Sequence, residues 1–132
     1  MRRGLERLLR ERAEERGRVI EEARRVAEEL RRRLGRATVL LYGSYARGDF
    51  NVWSDVDLLV VSEAFEGVSP LERLDAVIRV LPPRFEAVCL SLREARAQLR
   101  RAWWRGALEG AVVLVDDYGI ASALRLKGAA QH

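Results

Sequence analysis

Two aspartates and a glycine–serine turn are the residues of this chain whose types and spacing could do chemistry. Gly43 and Ser44 directly follow the apolar run 37–42, and Asp55 and Asp57 open a second apolar run. Because side chains alternate along a strand, the two aspartates are expected to share one face. Neighbouring carboxylates repel each other unless a cation lies between them, and Mg²⁺ prefers oxygen ligands and binds nucleotide phosphates. The spacing predicts a metal and phosphate site.

The turn before the aspartates is typical of an anion-binding loop. Gly43 allows the backbone to turn sharply at the strand end, and Ser44 is expected to cap the helix that follows. N–H groups at such a helix start can hold phosphate oxygens. Taken alone, Gly-Ser after a strand is usually an ordinary turn, and Asp-x-Asp is often a solvated strand end. Their combination at this spacing favours the functional interpretation.

Ser44, ten intervening residues and Asp55-Val56-Asp57 resemble the signature of the minimal nucleotidyltransferase (MNT) family, within the DNA polymerase β-like superfamily. The match is fuller over residues 41–60, hereafter the signature segment, which begins LYGSYARG and ends SDVDLLV. The coarse order of elements extends the resemblance over residues 20–118. The resemblance implies that Asp55 and Asp57 bind the metal, and that the Gly43–Ser44 turn holds the triphosphate. It also implies that Arg47 neutralises phosphate charge.

The family pattern includes a third carboxylate on the next core strand. Glu86 is the only acidic residue in the third predicted strand, 84–91, and is therefore the candidate third metal ligand and catalytic residue beside Asp55 and Asp57. Aspartate is more usual at this place, and glutamate is one methylene longer. The alternative is that Glu86 is an ordinary outward-facing strand residue.

Length and composition fit one domain, 1–132, with a core over 37–118 after an N-terminal helix over 1–35. Charged residues make up 33% and hydrophobic residues 48% of the 132 residues. No secretory signal pattern and no apolar stretch of membrane-spanning length occurs. The single cysteine, Cys89, excludes an intramolecular disulfide and suggests a buried thiol, so we expect a cytoplasmic location.

The basic character of the chain is concentrated at its start. Residues 1–36 contain 13 arginines and 8 glutamates, whereas the whole chain has a net charge of only +4. Apolar residues recur there at helical spacing, which predicts one long charged helix over 4–34, bent or broken at Gly17. Since acids interleave with the arginines, a solvated face is favoured over a nucleic-acid-binding face.

The rest of the sequence predicts an α+β fold, a small mixed twisted sheet flanked by helices. Helices are expected over 70–81 and 92–109, with a fourth strand over 111–115. On the second of these helices, Trp103 shares a face with apolar residues and is predicted to be core. Trp104 is then predicted to be partly exposed, and exposed tryptophan suggests a contact surface. In the signature segment, Tyr45 or Trp53 could meet a nucleobase, although Trp53 could equally be a packing plug.

These patterns leave three hypotheses of function. The first is a Mg²⁺-dependent enzyme that transfers a nucleotide, with AMP from ATP as the favoured case, to a hydroxyl of a partner protein. The resemblance implies that this partner is a HEPN-type toxin, with the chain as its antitoxin. The second is a weak or inactive subunit of the same fold that acts by docking its partner. A homo-oligomer is left open separately. The third, transfer to RNA or a small molecule, draws only on the basic helix.

Overall fold

The computed structural model describes residues 2–126, which form six α-helices around a four-stranded sheet. This arrangement confirms the predicted α+β fold with its long N-terminal helix. A short 3-10 turn, Glu63–Phe65, precedes the third helix. The elements are α1 Arg2–Leu34, β1 Thr38–Tyr42, α2 Ser44–Arg47, β2 Val56–Val61, α3 Pro70–Ile78, β3 Phe85–Leu90, α4 Leu92–Gln98, α5 Ala102–Ala107, β4 Val112–Asp116 and α6 Ile120–Ala123.

The sheet has the order β3-β2-β1-β4. β1 is antiparallel to β2 and to β4, while β2 and β3 are parallel and are joined by a crossover through α3. The end of β1 and the starts of the other three strands therefore meet at one end of the sheet. We call it the signature end, and it is defined by Tyr42, Asp57, Glu86 and Val112.

Both faces of the sheet are covered, so its two central strands are buried almost throughout. On one face, α1 and α3 pack against alternate strand residues such as Leu41 and Leu58. On the other face, α4, α5 and α6 cover Leu40 and Leu59. Successive residues of the central strands thus face the two helix layers alternately. Asp57 at the signature end is a polar exception to the apolar residues at these positions.

Three local predictions were wrong. α1 continues through Gly17 without a break, and the predicted helix over 92–109 is two helices, separated by a turn at 99–101. The two tryptophans exchange roles, because Trp104 is 8% exposed and Trp103 is 70% exposed. Arg101 in the turn is extended, with φ −70° and ψ 151°. One extended residue resets the helical phase, which turns Trp104 toward the sheet.

Of the described residues, none belongs to a helix that is both long and apolar enough to cross a membrane.

Asp117 fastens the end of α1 to the sheet. Its carboxylate accepts hydrogen bonds from the Ala37 N–H at 3.0 Å and from Arg31 Nε at 3.0 Å. These two donors lower the pKa of Asp117, with the backbone donor contributing most. The anionic form is therefore the one that the folded state prefers.

Acidification is expected to remove this contribution. Since the folded pKa lies below the unfolded one, the stabilisation is present above the unfolded value and is lost as the pH falls through the folded value. Asp117→Asn should cost about 1 kcal/mol of unfolding free energy near neutral pH, and the difference from wild type should shrink as the pH falls through the lowered pKa of Asp117. Urea unfolding at several pH values measures this. A difference that stays constant over the whole range would contradict the assignment.

Candidate functional site

Two of the three predicted carboxylates, Asp57 and Glu86, lie in one row across the signature end. Asp57 pairs in register with Tyr42 of β1 on one side and with Glu86 of β3 on the other. Val56 and Leu58 point into the core beneath α1, so Asp57 faces the opposite side of the sheet. Tyr42 and Asp57 are half-buried and Glu86 is exposed. Within this row, Trp104 of α5 packs against the Tyr42 ring, and Glu86 is open to solvent.

The turn at Gly43 is in close contact with Asp57. Gly43 has φ 80° and ψ −155°, a conformation that is essentially restricted to glycine. A Cβ added there would lie 2.4 Å from Asp57 Oδ2, which is far inside van der Waals contact. Gly43 is also the N-cap residue of α2, and the helix start has no side-chain capping bond. Ser44 is the first residue inside the helix, so the prediction of Ser44 as the cap was wrong. The glycine brings the turn and the carboxylate together.

Asp55 lies one residue before β2 and is exposed, rather than occupying a strand position. Its charge nevertheless reaches Asp57. The pKa of Asp57 is raised, first by burial and then by the negative charges of Glu86 and Asp55, while Arg47 opposes the shift. The three carboxylates therefore form one electrostatic group, and Arg47, whose Nε donates to Asp49 at 3.3 Å, lies within electrostatic reach of it.

This group fits a hard divalent cation by the chemistry of its donors. Carboxylate oxygens are the ligands that Mg²⁺ prefers, and a cation would relieve the mutual repulsion that raises the pKa of Asp57. In residues 2–126, however, no three histidine, cysteine, aspartate or glutamate side chains already form a cluster that could hold a metal ion. Asp55, Asp57 and Glu86 would have to converge on a cation by side-chain movement.

Two arginines of α1 hold the far end of the short helix α2. Arg16 donates from Nε to the Tyr45 carbonyl at 2.8 Å and from Nη2 to the Ala46 carbonyl at 2.7 Å. Arg12 donates to the Gly48 carbonyl at 3.2 Å, and its guanidinium lies 4.5 Å from the centre of the Phe50 ring. The carbonyls at the end of α2 are thereby satisfied. Sequence reasoning missed both arginines, because nothing distinguishes them among the 23 of the chain.

A third arginine, Arg84, connects α2 to the segment that leads into β2. Its guanidinium donates to the Tyr45 hydroxyl and, at 3.1 Å, to the Ser54 carbonyl. Its own carbonyl accepts the Val56 N–H at 2.8 Å. Arg84 has φ 74°, which is uncommon for a residue with a side chain, and such strain persists only where the surroundings enforce it. No sequence pattern reveals this position.

The aromatic residues of the signature segment do not take the predicted places. Tyr45 is buried and stacks on Phe50, with ring centres 4.3 Å apart, so it cannot receive a nucleobase. Trp53 is 88% exposed, which also rules out a packing plug. Of the two residues proposed for base stacking, only Trp53 is free to make such a contact.

Comparison with known proteins gives two findings. The family model described as Nucleotidyltransferase domain matches residues 23–125. A crystal structure of a candidate nucleotidyltransferase from Sulfolobus solfataricus superposes with a TM-score of 0.58 at 25% sequence identity, over 65% of this chain and 78% of that chain. No curated protein matches significantly. The match of the family model includes the whole signature segment, β3 and Glu86.

Proposed function

Because this chain belongs to the nucleotidyltransferase domain family, we propose that it transfers a nucleoside monophosphate, AMP in the first instance, from a triphosphate to a hydroxyl group of a protein. The observation that carries the proposal is the contact of the Gly43 backbone with the Asp57 carboxylate. A phosphate held at the turn would lie directly beside the carboxylates. Such positioning and charge neutralisation are what phosphoryl transfer chiefly requires of a protein.

The residues of the site have separable roles in this proposal. Asp55, Asp57 and Glu86 would hold Mg²⁺, which when bound neutralises charge on the attacking and leaving oxygens. The turn at Gly43 and Ser44 would bind the triphosphate through backbone N–H groups. Arg47, which already opposes the negative charge around Asp57, would balance the phosphates.

A protein acceptor is proposed from the resemblance, which implies a HEPN-type partner in the cytoplasm. Exposed leucines in the first half of α1 support a protein contact, since exposed apolar clusters often mark such surfaces. They are Leu5, Leu8 and Leu9. A second candidate function, docking without transfer, is favoured by the residue type at the third carboxylate position, where Glu86 stands in place of the more usual aspartate.

Calorimetric titration with ATP, GTP, CTP and UTP in the presence of Mg²⁺ tests the proposal without an acceptor. Wild type is expected to bind at least one of them, and Asp55→Asn/Asp57→Asn should lose the metal-dependent part. Glu11→Gln/Glu14→Gln, on the exposed face of α1, changes net charge equally and should bind as wild type does. The aspartate variant removes like charges, so no loss of fold is expected.

Two outcomes separate transfer from docking. Nucleotide binding that is equal in wild type and the aspartate variant would contradict the carboxylate site. In an assay of partner neutralisation, activity lost in the aspartate variant supports transfer. Neutralisation that the variant retains in full supports docking.

A further inference from the structure

An exposed indole is connected through one buried ring to Tyr42, the strand neighbour of Asp57, and has no role in the site described so far. Trp103, in the first turn of α5, is 70% exposed. Its ring meets Trp104 edge to face, with centres 4.9 Å apart and an angle of 87°. Trp104 is buried and in turn meets Tyr42 at 5.8 Å and 66°. Three aromatic rings therefore lead from the surface to the residue before Gly43.

The inner end of this aromatic series belongs to the site. Tyr42 pairs in register with Asp57, and the negative charges of Asp57 and Glu86 add to burial in raising the pKa of Tyr42 to about 12. The tyrosine thus lies within the electrostatic reach of the carboxylates. Trp104 packs on it on the face of the sheet that α4, α5 and α6 cover.

The course of the chain brings α5 to the same place. α5 ends at Ala107, and β4 begins at Val112. Val112 pairs with Leu41, two residues before the turn at Gly43. The connection between them also approaches α2, since a Cβ at Gly110 would be 3.6 Å from Arg47 Cγ. The connection that follows α5 therefore passes close to Arg47, the residue to which neutralisation of phosphate charge is assigned.

We propose that Trp103 is the surface on which the base of the bound nucleoside triphosphate stacks. This inference rests on the proposed nucleotide site and adds the contact that site lacks, a planar apolar group for the base. Every nucleobase has a π face, so an indole binds bases of any kind without hydrogen-bond selection. Stacking on Trp103 then supplies affinity for the base. The affinity should differ little between adenine and guanine and more between purines and pyrimidines, because a pyrimidine ring overlaps the indole over a smaller area.

Trp103 is better suited to this role than Trp53, the other exposed indole. The edge-to-face contact with the buried Trp104 holds the Trp103 ring in place, so that little side-chain freedom remains to be lost on binding. Among residues 2–126, Trp53 has no ring partner. Trp53 therefore provides a control, a second exposed indole that lies in the signature segment itself.

The test compares Mg²⁺–ATP with Mg²⁺–inorganic triphosphate, which has no base. In calorimetric titrations, Trp103→Ala is expected to weaken ATP binding about fivefold to a hundredfold and to leave triphosphate binding unchanged. Trp103→Phe should recover most of the ATP affinity, because it restores an aromatic face. Trp53→Ala should bind both ligands as wild type does. Because Trp103 is exposed, its variants should fold, which circular dichroism checks.

The outcomes distinguish this inference from the function on which it rests. If Trp103→Ala binds ATP as tightly as wild type, the base does not stack there, although the nucleotide site stands. A loss in Trp53→Ala instead would overturn the inference in favour of the other indole. Equal losses for ATP and triphosphate in Trp103→Ala would assign Trp103 to the fold of the turn and also overturn it. If wild type binds neither ligand, the inference and the nucleotide site fail together.

Discussion

Alanine in place of Gly43 is expected to weaken Mg²⁺–nucleotide binding by at least about a hundredfold and to lower stability. The new Cβ would lie 2.4 Å from Asp57 Oδ2, so either the turn or the carboxylate must move. The backbone angles of Gly43 are also essentially restricted to glycine, which costs of order 1–3 kcal/mol. Either movement displaces a group that is assigned to the triphosphate or to the metal. Nucleotide titration and urea unfolding of the purified variant measure the two effects.

Gly35→Ala is the matched control for this variant. Gly35 also has a positive φ, 90°, but a Cβ there would meet nothing within 4 Å. It should therefore show the backbone cost alone, with nucleotide binding intact. If Gly43→Ala bound nucleotide like Gly35→Ala, the contact between the turn and Asp57 would have no part in binding.

Arg73→Leu is expected to lose about 3 kcal/mol or more of unfolding free energy. Arg73 is only 7% exposed, and it donates to the Val68 carbonyl at 2.8 Å and to the Cys89 carbonyl at 3.2 Å. It also forms a two-bond pair with Glu94, whose pKa it lowers. Removing one partner of a buried charged network leaves the others without compensation, which typically costs 3–5 kcal/mol. Denaturant unfolding monitored by circular dichroism gives the value.

The exposed Arg79→Leu, at the end of the same helix, is its control and should change stability by less than about 0.5 kcal/mol. Arg73→Lys should fall between the two, because an ammonium keeps the charge but cannot reproduce the planar set of donors. Equal stabilities of Arg73→Leu and Arg79→Leu would show that the network contributes nothing. Since Arg73 joins α3, β3 and α4, its loss would also loosen the strand that carries Glu86.

Much of the site was accessible from the sequence because it is built from local patterns. The apolar runs gave β1 and β2, and glycine at a strand end indicated the turn at Gly43. Assigning Glu86 to the neighbouring strand predicted a position next to Asp57, and the register places the two side by side. The roles of these residues remain predictions that the titrations above decide.

The remainder depends on tertiary contacts that no local pattern encodes. Arg12, Arg16 and Arg84 reach α2 and the loop after it only because α1 and the turn before β3 pass close to it, and arginine is too abundant in this chain to mark them. The tryptophans were misassigned because helical periodicity was continued through Arg101. A single extended residue shifts the phase of everything after it, and only the folded structure shows where that occurs.

The first half of α1 has a thermodynamic consequence for the signature segment. Between residues 2 and 18 only Arg12, Glu15 and Arg16 are even partly covered, so this stretch has no core of its own. A helix of that length is marginal in isolation, and its bonds to the carbonyls of α2 and the following loop are what hold it. Its unwinding and the loosening of α2 are therefore linked equilibria. By reciprocity, a ligand that rigidifies the turn at Gly43 would slow amide hydrogen exchange in the first half of α1, even without contacting that helix.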